Sequence, residues 1–118
     1  MNYLMLGAMS GCMVVILGAF GAHGLNDVLD DHEKSIYNKA VLYHMFHTMG
    51  ILVVGIINKI QPDIQLSSVG LAFLFGIILF SGSLYIFAIT GIKSLGMITP
   101  IGGIFFIVGW LLLCVKTI

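Results

Sequence analysis

The sequence predicts an all-α membrane protein: a four-transmembrane-helix antiparallel bundle with a short interfacial helix in its first loop. Hydrophobic residues fill 59% of the 118 positions, charged residues only 8%, and the mean hydropathy is +1.12, a balance far outside the soluble range. Four stretches lack any charged residue: Tyr3 to Ala22, Ala40 to Ile57, Leu66 to Ile92 and Ser94 to Val115. Each is long enough for a helix to cross the hydrocarbon core, and none alternates with the period of two that a closed β-barrel requires. Residues 1–118 therefore form a single integral membrane domain, with spans expected at about 3–22, 40–57, 67–90 and 96–115.

The first span carries Gly7, Gly11 and Gly18 within a narrow arc that ends at Ala22, with Gly21 beside it. Such a strip lets another backbone approach closely in lipid. It serves a contact inside the chain or the seam of a homo-oligomer, and the internal contact is the simpler. The run is too long for a signal-peptide core and no basic residue precedes it, so cleavage is not expected. The residues Met9 to Cys12, "MSGC", match a lipoprotein site poorly for the same reason. Cys12 and Cys114 lie in separate apolar runs without metal-ligand spacing and read as small buried hydrophobes.

The long first connection, His23 to Lys39, places Leu25, Val28, Leu29, His32 and Ile36 at helical spacing opposite Asp27, Asp30, Asp31 and Lys34. That pattern predicts a short helix lying on the membrane interface. Asp30 and Glu33 have the spacing of a capping box, either for that helix or for an extension of the second span.

The second span opens with "YHMFH". Tyr43, His44 and His47 fall on one side of the helix, and ionisable groups inside a span ordinarily face the bundle interior and mark a site. Three readings compete: hydrogen bonds to the first loop or to Ser81, Ser83 or Thr99; a metal site built from His23, His44 and His47, with His32 or a loop carboxylate; or proton relay or contact with a lipid headgroup.

Beyond the polar turn Asn58 to Gln65, broken by Pro62, the third span aligns Ala72, Gly76, Ser83 and Thr90 beside Phe73, Phe80 and Phe87. Gly91 is a natural left-handed stop, and Lys93 is the only charge before the fourth span. Pro100 suits the first turn of that span with Thr99 as its cap, and Gly102 and Gly109, with Gly103 alongside, form its packing strip. A broken helix exposing carbonyls around Pro100 is the sharper alternative. The five lysines divide almost evenly between the two sides, which leaves orientation open.

Several function classes are excluded. With five Lys, no Arg and zero formal net charge there is no basic surface for nucleic acid. All five acidic residues lie in connections, so the intramembrane carboxylate that small proton-coupled antiporters need is absent. No nucleophile elbow, zinc-protease motif, phosphate loop or dinucleotide fingerprint occurs.

Four ordered motifs remain: "GAFGAHGL" at Gly18 to Leu25, "YHMFH" at Tyr43 to His47, "FSGSLY" at Phe80 to Tyr85, and "TPIGG" from Thr99 followed by Gly109 and Trp110. Together they resemble a family of small four-span bacterial inner-membrane proteins of unknown function, related to eukaryotic transmembrane protein 256. The resemblance implies four helices in the cytoplasmic membrane and a retained first span. It singles out His47 and His23 over His44, whose position often looks like Gln in that family. It implies no reaction.

The expected function is accordingly that of a non-enzymatic bundle supporting the envelope through lipid or protein contacts, with His23, Tyr43, His44, His47, Ser81, Ser83 and Thr99 as its polar site and no cofactor. Membrane lipids are the expected partners, and a homo-oligomer is an open alternative. A small transporter or channel subunit for a metal ion, proton or solute is the second reading.

Overall fold

The computed structural model describes residues 1–118 and is all helical. Helix α1 runs Tyr3–His23, α2 Asp31–Ile60, α3 Ser67–Gly76, α4 Gly82–Thr90 and α5 Thr99–Thr117. A wide π turn, Ile77–Ser81, joins α3 to α4 into one continuous span, and a 3-10 turn, Lys93–Met97, leads into α5. The four resulting helices are each long and apolar enough to cross a membrane.

Helix α2 is the centre of the bundle. It packs on α1 along one side and on α3, the π turn and α4 along another, while α5 packs chiefly on α3 and the π turn. The main core joins Tyr3, Ile51, Val54, Leu66, Val69, Phe73, Ile77 and Phe106. The Tyr3 hydroxyl donates to the Ser67 carbonyl at 2.9 Å and ties the start of α1 to the start of α3. The outer faces carry exposed Met, Ile, Val and Leu side chains, as a lipid-facing surface requires.

The interfacial helix is a correction. Residues 24–30 are turns, and the rest of the amphipathic pattern belongs to α2. The reason is the capping box: Asp30 accepts from the Glu33 amide at 2.8 Å, Glu33 accepts from the Asp30 amide at 3.0 Å, and no breaker follows before Lys39. At 30 residues α2 is about 45 Å long, so its first turns project past a hydrocarbon core of about 30 Å. Leu25 and Leu29 tuck beneath Tyr37 and Ala88, whereas Val28 is 70% exposed and does not share their face.

Gly91 ends α4 at φ +69°, the only positive φ in the chain, and its amide donates to the Phe87 carbonyl. Pro100 sits in the first turn of α5. Thr99 does not cap that helix, because its hydroxyl is engaged with Ser83 at 2.6 Å. The cysteines are also corrected: Cys12 and Cys114 are free and exposed on the outer faces.

The glycines divide into two kinds. A Cβ on Gly7 would come within 2.6 Å of Leu52, on Gly109 within 2.7 Å of Phe73, on Gly76 into the Phe106 ring, and on Gly102 into the Phe80 backbone. Gly11 and Gly18 are looser, with Thr48 at 3.8 Å and Val41 at 3.6 Å. The glycine face of α1 is thus turned toward α2 of the same chain.

Candidate functional site

The polar residues expected to form one cluster are distributed over several places. His44 and His47 are 2% and 3% exposed on α2, but three residues of an α-helix leave them about 60° apart around its axis. That angle sends His44 toward α1 and α4 and His47 toward α3 and α5. His23 lies exposed in the last turn of α1 and joins neither. No three His, Cys, Asp or Glu residues anywhere converge in a metal-binding arrangement, so the proposed set of His23, His44 and His47 is not assembled.

The His44 network can be read proton by proton. Thr48 gives its single hydroxyl proton to the His44 carbonyl at 2.8 Å. It can then only accept from Ser10, whose Oγ lies 2.6 Å away. With that proton committed, Ser10 must accept from His44 Nε2 at 3.0 Å. The neutral ring leaves Nδ1 bare to accept from the Tyr85 hydroxyl at 3.0 Å. The chain of donors runs from Tyr85 through His44, Ser10 and Thr48 and ends on a backbone carbonyl. It links α4, α2 and α1, with Ser10 and Tyr85 half-buried.

His47 is fixed in the opposite sense. Its Nδ1 lies 2.7 Å from the Tyr43 carbonyl, which only accepts, and its Nε2 lies 3.1 Å from Trp110 Nε1, which only donates. The ring therefore holds its proton on Nδ1 and is bare at Nε2. It stacks on Phe106 with centroids 3.4 Å apart and planes 8° from parallel. Both nitrogens are occupied by the protein itself.

Ser81 and Ser83 are elsewhere. Ser81 donates to the Ala40 carbonyl at 2.8 Å, fastening the π turn to α2, and Ser83 meets Thr99 and the Phe80 carbonyl near the start of α5. Neither hydrogen-bonds an imidazole, so of the three readings the interhelical hydrogen bonds are made, but to Ser10, Tyr85 and Trp110 instead. Every buried side-chain nitrogen and oxygen has a partner.

Between α2 and α5 the helices meet through side chains rather than closely packed backbone, and a cleft of about 580 Å³ remains. Its walls are the rings of Tyr43, Phe46, His47, Phe80, Phe106 and Trp110 together with Leu42, Ile107 and Gly103. Tyr43 lies 4.4 Å from Phe80, and Phe46 lies 5.4 Å from Trp110, between ring centroids.

Sequence reasoning missed Ser10, Thr48, Tyr85 and Trp110 as partners. A signal existed for Ser10, since it is the one Ser or Thr between Tyr3 and Ala22, and a lone hydroxyl in an apolar span usually finds a polar partner on another helix.

This architecture defines a multi-pass membrane bundle held by closed interhelical hydrogen-bond networks. The chain belongs to the family described as "Protein of unknown function (DUF423)", whose model matches residues 17–103. It is 48% identical over 116 residues to a UPF0382 membrane protein of Staphylococcus epidermidis, covering 98% of this chain and 94% of that relative. It is 49% identical over 115 residues to the UPF0382 membrane protein SSP2132 of Staphylococcus saprophyticus, covering 98% and 95%. The UPF0382 membrane protein YwdK of Bacillus subtilis is 40% identical over 117 residues, covering 98% and 95%. No solved structure matches.

Proposed function

We propose that the protein is a non-enzymatic bundle of the cell membrane that supports envelope function through contacts with lipids or other membrane proteins. The observation that carries this reading is the closure of the two imidazole networks: each ring nitrogen and each linked hydroxyl is committed to a partner inside the chain. A proton relay needs a continuing acceptor, and a metal site needs a bare nitrogen beside further ligands. Neither need is met by His44 or His47 as they stand. The absence of acidic residues from the apolar runs points the same way.

The test is flux into proteoliposomes loaded with a pH dye or a divalent-metal dye, with and without an imposed gradient. The expected result is the leak of empty vesicles. Reproducible protein-dependent flux that falls in His44→Gln or His47→Gln would overturn the reading and favour a small transporter or channel subunit.

A further inference from the structure

We propose that the α2/α5 cleft binds the ring of a lipid-soluble prenylated quinone, packed against its aromatic walls and accepting a hydrogen bond from Tyr43. The proposal rests on the reading that the chain acts by contacts within the membrane, and it names one ligand for them.

The first argument is the composition of the walls. Six of the nine residues that line this cleft carry rings, whereas the outward face of α1 is built mainly from Met5, Met9, Met13, Val15 and Ile16, with Phe20 as its one ring. Flexible aliphatic surface suffices for acyl chains. Rings set at defined angles favour a flat conjugated partner, because their quadrupoles reward offset stacking and edge contacts. Tyr43 and Phe106 are 6.3 Å apart and within 19° of parallel, and the stacking of Phe106 on His47 holds one wall fixed.

The second argument is a hydroxyl. Of the four tyrosines, Tyr3 donates to Ser67, Tyr37 to Leu17 and Tyr85 to His44, whereas Tyr43 has no hydrogen bond within the chain. Tyr43 lines the cleft and is 39% exposed. It lies four residues beyond Lys39, about 6 Å further along the helix axis, within the uncharged run that begins at Ala40. A ring carbonyl on a quinone is an acceptor of the right kind. His47 cannot serve instead, because both its nitrogens are taken.

The third argument is the space. Gly102 is filled by the Phe80 backbone, but a Cβ on the adjacent Gly103 would meet only the Phe80 ring at 3.8 Å. Gly103 therefore has room for a Cβ in ordinary contact with Phe80, where Gly102 has none. The cleft volume, about 580 Å³, falls within the roughly 300–1,000 Å³ of small-molecule sites.

Trp110 is the only tryptophan and lines the cleft, so the intact protein in detergent reports binding by its own fluorescence. The probes are a decyl-tailed benzoquinone and a short-prenyl naphthoquinone, with a saturated phospholipid as competitor. Wild type is expected to show saturable quenching above the linear collisional background. Tyr43→Phe should raise the half-saturation about five-fold, as loss of one hydrogen bond implies. Gly103→Leu should leave only the linear background, and Ile107→Phe, at an exposed cleft-lining position, gives a second filled cleft if the first variant loses helicity. Linear quenching in wild type, saturable quenching unchanged in both filled variants, or equal displacement by the saturated phospholipid would each overturn the site. Those results leave the contact reading standing, and protein-dependent flux would overturn that reading whatever the quenching shows.

Discussion

His44 and His47, less than one helical turn apart, carry their ring protons on opposite nitrogens: Nε2 in His44 and Nδ1 in His47. The assignment follows from partners whose roles are fixed, a hydroxyl chain ending on a carbonyl for one ring and an indole facing a carbonyl for the other.

Long-range proton–nitrogen spectra of protein labelled with 15N-histidine test this directly. Two neutral rings with opposite tautomer patterns are expected from these residues at neutral pH, with the His44 pattern altered by Ser10→Ala and the His47 pattern by Trp110→Phe. The same tautomer in both would refute the network.

Ser10→Ala removes the acceptor of His44 Nε2 and the donor to Thr48. It should cost about 1–2 kcal/mol, measured by reversible unfolding in mixed micelles. Tyr85→Phe acts on the same ring from the other side, so the double variant should deviate from additivity by at least about 0.5 kcal/mol. Strict additivity would mean that the two hydroxyls do not share one chain.

Glycine substitutions should separate by what stands opposite. Gly102→Ala and Gly55→Ala drive a methyl into the backbone of Phe80 and Leu4 respectively and should destabilise by about 1–3 kcal/mol. Gly11→Ala meets only Thr48 at 3.8 Å and should be neutral, or stabilising by up to about 1 kcal/mol through helix propensity. A loss at Gly11 equal to that at Gly102 would contradict the packing described.

Asp30→Ala removes the cap of α2 and should cost about 0.5–2 kcal/mol, with Asp30→Ser recovering most of it. Thermal unfolding of the three proteins side by side checks the order, and equal stability of Asp30→Ala and wild type would remove the capping box from the account.

The fold class was readable because lipid imposes a simple condition, long apolar runs with every backbone group satisfied internally. Asp30 with Glu33 and the stop at Gly91 were readable because their determinants are local. The extent of α2 was not, since an amphipathic stretch looks alike whether it lies on an interface or prolongs a span, and only the position of the cap decides. The partners of the imidazoles were less accessible still. His44 reaches residues 34 positions before it and 41 after it, and His47 a residue 63 positions away, distances over which spacing carries no information. The 60° between the two rings was present in the sequence. Its effect became visible only once different helices stood on either side.

The π turn at Ile77–Ser81 gives the third span two independent bearings. Its first half, α3, lies chiefly against α5 and also touches α2, whereas its second half, α4, lies against α2. The wide turn takes up one residue more than an ordinary turn, and the same residues rewound as regular helix would swing everything beyond them through about 100°. Ser83 would leave Thr99, and Ala88 would leave the small core beneath the first loop. The span behaves as a shaft with a keyed joint: five residues hold the angle at which its two ends engage different neighbours.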